Sequence, residues 1–264
     1  MFVMMNGARL GVGMQSLGLA EVAYQNSLAY AKDRIQMRSL TGPKAKDKPA
    51  DPIIVHPDVR RMLLTPVVKG FITEQSWVST TYGMQVFGGH GYVKEWGMEQ
   101  YVRDARINMI YEGTNGIQAL DLLGRKVLSD MGAKLMKFGK MVTELCKAEG
   151  QNEAMAEFIK PLAELGQEVQ KVTMEIGQKA MKNPDEVGAA SVPYLHLIGH
   201  FVYAYFWARM AKIALEKQDQ DDFYKAKLIT ARFYYQKLLP ETATNLKQIR
   251  AGSQPLMEMA EAMF

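Results

Sequence analysis

One acidic residue, Glu112, stands where a carboxylate could remove a proton from a bound substrate. It lies between an aromatic residue and a glycine in the segment YEGTNG (111–116), which interrupts the helical spacing on either side. Apolar surroundings raise the pKa of a carboxyl group toward neutral pH, which suits a general base, and the adjacent glycine lets backbone amides approach a ligand. The residue types leave a second interpretation equally open, in which Thr114 or Asn115 caps the next helix and Glu112 is exposed.

A pair of histidines is the next group that could carry chemistry. His196 and His200 are four residues apart, so on one helix face both could reach the same metal ion. A zinc protease would require glutamate directly after the first histidine, and Leu197 occupies that position. We therefore favour a structural interpretation, in which the two histidines lie on a partly buried aromatic face with Tyr203 and Trp207.

The N-terminal glycines and the cysteine do not indicate a cofactor or metal site by themselves. Gly7, Gly11 and Gly13 lack the spacing of a dinucleotide fingerprint, and no strand pattern precedes them. Cys146 is the only cysteine of the sequence, which excludes an internal disulfide framework and a multi-thiolate metal site. We interpret it as a small hydrophobic residue, and we predict no metal ligands.

The composition is that of a globular chain and excludes several functional classes. Of 264 residues, 48% are hydrophobic and 23% are charged, and the net charge of +4 is too small to indicate a nucleic-acid-binding protein. No window approaches about 18 uninterrupted apolar residues, so no membrane span is predicted. The first residues lack the pattern of a secretory signal, and together with the single cysteine this favours a cytoplasmic location.

Helical spacing of the apolar residues runs through almost the whole chain and predicts an all-α fold. We expect two helical units, residues 1–130 and 131–264, built from antiparallel helices that short turns connect. Four prolines predict a loop at 39–57, and four glycines predict a structured loop at 87–98. Helices are predicted over 59–87, 98–109, 118–127 and most of the second unit, whose polar turns fall at 149–153, 182–186, 216–222 and 251–255.

Five short segments of the first half follow one another in an order that is typical of one enzyme family. They are MMNGARLGVG (4–13), AYAKDR (29–34), QVFGGHGY (85–92), VRDARI (102–107) and IYEGTNGIQ (110–118). On these segments the chain resembles the C-terminal region of the flavin-dependent acyl-CoA dehydrogenases. The helical extension beyond residue 130 is similar to that of the larger members, among them the 3-methylmercaptopropionyl-CoA dehydrogenase-like enzymes.

The resemblance implies a fold, an activity and partners. The fold would be the four-helix-bundle C-terminal domain of that family over 1–130, followed by an additional helical domain over 131–264. The activity would be α,β-dehydrogenation of an acyl-CoA thioester, with Glu112 removing the α-proton while the β-hydrogen leaves as hydride to N5 of FAD. The family further implies fatty acid metabolism, a homo-oligomer (a dimer or a dimer of dimers) and electron-transfer flavoprotein as the electron acceptor.

The matching positions also imply roles for individual residues. Glu112 would be the catalytic base, since Ala8 occupies the position from which some members of the family supply the base instead. Arg34 matches an arginine that meets the flavin diphosphate, a task that a bidentate guanidinium suits. Contacts with FAD are implied for Arg34, Gln36, His56, Gln85, Gly88, Gly89 and Thr114, and contacts with the substrate for Asn6, Arg9 and Gly113.

In that family a helical domain and a β-rich domain precede the matched region and contribute to both pockets. We therefore expect these flavin domains to be supplied in cis or in trans. We also expect this chain alone to bind FAD weakly or not at all and to have no turnover. Two other interpretations stay open: a non-catalytic helical dimerisation or interaction module derived from this fold, and an acyl-CoA oxidase.

Overall fold

The described residues of this protein, in a computed structural model, are 71–86, 89–110, 114–260 and 263. In these ranges every regular element is helical, which confirms the prediction of an all-α fold. They divide into two compact units, the first with residues 73–86 and 89–110, the second with residues 71–72 and 114–260. The helices predicted before residue 71 lie outside the described residues, and a domain boundary at residue 130 stays a prediction.

The described part of the first unit consists of two helices that pack against each other and the short turns between them. Helix α1 (Thr73–Val86) is followed by the single helical turn α2 (Gly89–Tyr92), a 3-10 turn (Lys94–Trp96) and helix α3 (Met98–Ile107). Gly97 separates the last two elements with a φ of 66°, a left-handed conformation that favours glycine. The segment predicted as a loop at 87–98 thus contains two short helical turns, because residues after α2 bond back three positions.

The second unit opens on a helix whose hydrogen-bond pattern changes along its length. Helix α4 (Asn115–Leu120) continues into a π-helical segment (Asp121–Val127) and then a 3-10 turn (Leu128–Asp130). The chain reverses after Asp130, where Met131 and Gly132 adopt left-handed φ angles of 54° and 77°. The predicted helix through 118–127 is therefore present.

Longer helices form the rest of the second unit. The polar turns predicted from the sequence are confirmed, because each of the four lies between the end of one helix and the start of the next. A 3-10 turn (Glu153–Met155) precedes the helix that begins at Ala156, and a π-helical segment (Tyr234–Leu238) follows the helix that ends at Phe233. The helices are α5 (Ala133–Glu149), α6 (Ala156–Ala180), α7 (Asp185–Lys217), α8 (Asp222–Phe233), α9 (Glu241–Ala251) and the single turn α10 (Gln254–Met257).

Helix α7 is the central element of the second unit. It has 33 residues, a length of about 50 Å, and it packs against α4, α6, α8 and α9. Fifteen of its residues are buried, which is expected of a helix that is surrounded by others. Within the described residues, no helix is both long and apolar enough to cross a membrane.

Polar contacts fix the C-terminal turn of the second unit to the helices beneath it. The Glu186 carboxylate accepts hydrogen bonds from the Ser253 amide at 3.1 Å and the Ser253 hydroxyl at 2.7 Å. These bonds hold the pKa of Glu186 below its usual value. Arg250 donates to Glu168 at 2.7 Å and to Glu175 at 3.0 Å, so α9 is tied to α6 by two carboxylates.

Candidate functional site

The structure describes three of the site residues that the sequence predicts: Gln85, Gly89 and Thr114. Gln85 and Gly89 belong to the first unit, and Thr114 belongs to the second. The histidine pair and the cysteine, for which we predicted structural roles, are also described. The other predicted site residues lie outside the described residues: Asn6, Arg9, Arg34, Gln36, His56, Gly88, Glu112 and Gly113.

Thr114 is the N-cap of helix α4. Its hydroxyl oxygen accepts a hydrogen bond from the Ile117 amide at 3.4 Å, and its carbonyl accepts one from the Gln118 amide at 2.9 Å. A threonine in this position satisfies an amide that would otherwise lack an intrahelical partner. The capping role left open by the sequence therefore falls on Thr114, two residues after Glu112. A capping Thr114 does not require an exposed Glu112, so the capping and base interpretations do not exclude each other.

The predicted FAD contacts Gln85 and Gly89 lie on the surface of the first unit. Both are exposed, and a Cβ added at Gly89 would meet no atom of the described residues within 4 Å. Large aromatic side chains nearby in sequence are also exposed, with Tyr92 at 76% and Trp96 at 51% of its full accessibility. The Trp96 ring contacts His90 edge to face at a centroid distance of 5.4 Å. This surface can receive a planar or polar group from outside the unit.

One arginine of the VRDARI segment has a structural partner that the sequence did not indicate. The Arg106 guanidinium lies 5.6 Å from the centre of the Trp77 ring, and its Nη1 is 3.4 Å from the Met109 sulfur. A cation over an indole face is attracted by the ring quadrupole. Trp77 is on α1 and Arg106 on α3, so this contact helps to hold these two helices together. Spacing alone could not reveal it, because the two residues lie on different helices.

The histidines belong to an aromatic cluster in the second unit. His200 is 4% exposed. Its ring contacts the Phe71 ring edge to face, with ring centres 5.0 Å apart, and the Phe71 ring contacts the Tyr203 ring in the same way at 5.2 Å. The Tyr234 hydroxyl donates to the His200 carbonyl at 3.0 Å and lies 3.2 Å from His200 Nδ1. The centres of the His196 and Phe71 rings are 6.0 Å apart. These contacts support the predicted structural role of the pair, and no group of three metal-ligating side chains occurs among the described residues.

Burial determines the protonation of His200. Loss of hydration disfavours the imidazolium and, with the neighbouring His196, lowers the pKa of His200 from 6.5 to about 4. Its Nε2 lies 3.5 Å from the Glu241 carboxylate, which is largely exposed. Burial also raises the pKa of Tyr203 to about 12. His200 is therefore neutral at physiological pH, and the cluster acts as part of the core.

Gly199 makes room for the aromatic ring at the centre of this cluster. A Cβ at position 199 would lie 2.4–2.6 Å from three ring carbons of Phe71, closer than any van der Waals contact permits. Phe71 is 1% exposed, so its ring cannot turn toward solvent. Phe71 lies just before helix α1, and its ring anchors this part of the chain on α7. The role of Gly199 is not visible in the sequence, because a glycine inside a helix carries no signal of what packs against it.

The comparisons with known proteins match two consecutive parts of the chain. Residues 55–128 match the family described as "Acyl-CoA dehydrogenase, C-terminal domain", and residues 138–260 match "Acetyl-CoA dehydrogenase C-terminal like". The chain is 36% identical to the 3-methylmercaptopropionyl-CoA dehydrogenase of Ruegeria pomeroyi over 94% of this chain and 50% of that protein. It is 28% identical to a broad-specificity linear acyl-CoA dehydrogenase of Mycobacterium tuberculosis, over 100% of this chain and 52% of the relative.

A solved structure has a similar fold. The acyl-CoA dehydrogenase of Bacillus anthracis, crystallised in complex with FAD, superposes with a TM-score of 0.59 at 21% sequence identity. The superposition covers 80% of this chain and 35% of that one. The chain spans about half the length of the relatives in sequence that it matches.

Proposed function

We propose that this chain, which belongs to the acyl-CoA dehydrogenase family and corresponds to its C-terminal region, is the base-bearing helical portion of an FAD-dependent enzyme that oxidises an acyl-CoA thioester between Cα and Cβ. The observation that carries this proposal is the match of two C-terminal family profiles, in order, to residues 55–128 and 138–260. The first profile includes the YEGTNG segment. On this basis residues 1–130 form the family's helical bundle and residues 131–264 an added helical domain.

Glu112 is the residue we assign as the base. A thioester α-proton is only weakly acidic, so its removal needs a carboxylate that is desolvated and aligned with the C–H bond. The cap of α4 is compatible with this assignment, because it uses the side chain of Thr114 and not that of Glu112. Gly113 offers a backbone amide without a side chain next to the base, and Asn6 and Arg9 are assigned to the substrate.

FAD is the cofactor, and it supplies the hydride-accepting chemistry when it is bound. The described residues fit a group that lies against the surface of the first unit, since Gln85 is exposed and the backbone at Gly89 is open to close approach. In the family this loop approaches the adenosine half of a flavin bound by the partner subunit, so we propose a homo-oligomer. Thr114 and the remaining residues assigned to FAD, Arg34, Gln36, His56 and Gly88, are further contacts that the family resemblance implies.

The rest of the proposal follows from the whole enzymes of the family. The flavin domains are supplied in cis or in trans, electron-transfer flavoprotein reoxidises the cofactor, and the enzyme acts in cytoplasmic fatty acid metabolism. One consequence is direct to measure. The purified 264-residue chain should carry no stoichiometric flavin absorbance, and a yellow preparation at one flavin per chain would contradict the requirement for further domains.

The decisive experiment replaces Glu112 by glutamine in a protein that also carries the flavin domains, joined or co-expressed. Loss of the base should lower the rate of acyl-CoA dehydrogenation by about 10²–10⁴-fold, while the flavin spectrum and content stay unchanged. Glu95→Gln is the matched control, because Glu95 is an exposed acid of the same region. Unchanged turnover in Glu112→Gln would remove Glu112 from its role, and equal losses in both variants would indicate a general effect of charge.

A further inference from the structure

Helix α8 is apolar on two opposite faces, one that packs against the second unit and one that is exposed. Its inner face carries the buried residues Leu228 and Ala231 and packs against α7. Its outer face carries Phe223, Ile229 and Phe233, which are 58%, 64% and 55% exposed. A surface helix normally has one apolar stripe and a polar outer face. Three large exposed apolar side chains on one face of a helix therefore mark a contact surface.

The spacing of the residues on this outer face is nearly symmetric about position 228. Phe223 and Phe233 lie five residues to either side of it, and Ala226 and Thr230 lie two residues to either side. All four are exposed and belong to α8, so at about 100° per residue they fall within about 80° of the helix surface. The Thr230 hydroxyl donates to the Ala226 carbonyl at 2.8 Å, which satisfies this donor within the helix. Small side chains between two large rings let another helix approach the middle of the face closely.

A face with this symmetry is complementary to a second copy of itself when the two helices run antiparallel. In a two-fold pair, residue i of one copy contacts residue j of the other, and residue j contacts residue i. With the two-fold axis at the level of position 228, Phe223 meets the second copy's Phe233 at both ends of the pair. Ala226 meets the second copy's Thr230, and Ile229, one residue from the axis, meets its own copy.

The charges at the two ends of the helix fit the same antiparallel arrangement. Asp219, Asp221 and Asp222 lie at the N-terminal end of α8, whereas residues 223–238 contain four basic residues and no acid. Lys237 is exposed and lies in the helical continuation at the opposite end. An antiparallel copy brings the acidic end of each helix to the basic end of the other, which a parallel copy does not. Such complementary charges at the rim of an interface select its orientation.

Two lysines flank the outer face and contact groups of their own helix. Lys225 pairs with Asp222 at 3.0 Å, and the Lys227 ammonium lies 5.3 Å from the centre of the Phe223 ring. These contacts keep both ammonium groups at the margin of a helix pair, where water solvates them. Basic residues beside an apolar helix face are also typical of binding to an anionic bilayer, which is the competing occupant. The acids at the N-terminal end, next to Phe223, would be repelled by such a bilayer, so the second copy is favoured.

We propose that the outer face of α8 binds the same face of a second copy of this chain in an antiparallel two-fold pair, with Ile229 beside the axis. This contact is separate from the homo-oligomer proposed above, because it uses residues of α8 and none of those assigned to FAD or to the thioester. A single pair of helices buries less surface than a standard interface of about 1,200–2,000 Å². We therefore expect a dissociation constant of about 10 µM.

Sedimentation of the purified 264-residue chain, at concentrations above and below the expected dissociation constant, tests this contact. Ile229→Lys places two like charges beside the axis, so the largest species should have half the mass of the largest species of the parent chain, whether or not the first unit also associates. Ile229 is 64% exposed, so the thermal midpoint should change little.

Met174→Lys is the matched control for the added charge. Met174 is an apolar side chain that is 56% exposed, and it lies on α6. It is about 25 Å along that helix from Glu157, the α6 residue that pairs with Arg232 of α8. We therefore expect Met174→Lys to keep the mass of the parent chain.

A mixture of two variants tests the position of the two-fold axis. Ile229→Asp should halve the mass in the same way as Ile229→Lys, since each variant by itself brings like charges together. An equimolar mixture of the two should recover the mass of the parent chain, because each charge then faces its opposite across the axis. A contact in which Ile229 meets a different residue would not be restored by mixing.

Four results would overturn the proposal. The first is a mass that Ile229→Lys does not reduce. The second is an equal reduction in Ile229→Lys and Met174→Lys, which would show a general response to added charge. The third is a mixture of the Lys and Asp variants that stays at half the mass. The fourth is a parent chain that does not self-associate but floats with vesicles of phosphatidylcholine and phosphatidylglycerol, and loses this binding in Ile229→Lys, which would assign the face to a bilayer.

Discussion

The described parts of the two compact units differ in how far their apolar side chains are buried. In the second unit the central helix α7 is surrounded, and large side chains such as Tyr194, Phe158 and Leu162 have no exposed surface. In the described part of the first unit the buried apolar side chains are Met98 and Ala105. The exposed ones there are mostly aromatic: Tyr82, Tyr92, Trp96 and Tyr101 are 48–76% exposed.

This difference indicates which unit needs other surfaces. A unit that closes around its own core derives its stability from internal contacts, and the second unit is of this kind. Exposed aromatic side chains are enriched at interfaces, where one side of the ring becomes buried on assembly. The described part of the first unit therefore exposes the kind of surface that a cofactor, a partner subunit or further domains would cover, in agreement with the proposed function.

The largest effect is expected at the contact between Gly199 and Phe71. Gly199→Ala places a methyl group 2.4–2.6 Å from the buried ring, and the ring must shift against His200 and Tyr203. We expect a loss of about 3 kcal/mol in the free energy of unfolding, measured by urea denaturation with circular dichroism. Gly188→Ala on the same helix is the control, since a Cβ there has open space and should stabilise the helix by about 0.5–1 kcal/mol. Equal effects of the two substitutions would show that the core is not tightly packed at Phe71.

The second prediction concerns the pH dependence of the second unit. The pKa of His200 is about 4 in the folded chain and 6.5 when unfolded, so the unfolded chain binds the additional proton first. This contribution to stability is fully present above pH 6.5 and is lost as the pH falls toward 4. We expect a decrease of about 2–3 kcal/mol over this range in urea denaturation. His200→Gln should remove most of the decrease between pH 6.5 and 5, and an unchanged slope would show that another group is responsible.

A smaller effect is expected at an ion pair inside the second unit. Glu149 is 7% exposed, and its Oε1 lies 2.5 Å from the Lys212 ammonium nitrogen. Hydrogen bonds from Lys212 and Asn152 hold the pKa of the Glu149 carboxyl below its usual value. Lys212→Met removes the charged partner of a buried carboxylate and should cost about 1–2 kcal/mol of unfolding free energy. The control, Lys225→Met, breaks a pair with the exposed Asp222 and should cost less than about 0.5 kcal/mol. Equal stability of Lys212→Met and Lys225→Met would show that the buried ion pair contributes no more than the exposed one.

The smallest effect is expected in the first unit. Tyr92 is 76% exposed, so Tyr92→Ser should change the unfolding free energy of the purified chain by less than about 0.5 kcal/mol. In an assembled enzyme the same substitution should weaken the oligomer or the binding of FAD, because a surface that the assembly covers has lost its aromatic ring. Sedimentation and flavin titration measure these two outcomes. A large loss of stability in the chain alone would show that Tyr92 belongs to the core of the first unit.

The parts of the fold that depend on local sequence were predictable. The turns at 149–153, 182–186, 216–222 and 251–255 carry clusters of polar residues with glycine or proline, and such clusters favour the end of a helix. The segment at 87–98 was less predictable, because its glycines permit a loop and the short helical turns found there equally well.

The candidate site was predictable to a lesser degree. Family resemblance assigned Gln85, Gly89 and Thr114, and the structure adds that the first two are exposed and that the third caps α4. Sequence spacing gave the correct role for His200 but not the depth of its burial, since the rings that surround it come from separate parts of the chain.

The sequence by itself determined the helical class, the ends of the helices and the family to which the chain belongs, because each depends on residues that are near one another in the chain or in fixed order. The tertiary structure decided that position 199 must be a glycine and that His200 stays neutral. Packing sets these properties, and it brings together side chains such as Phe71 and Gly199 that have no relation in the sequence.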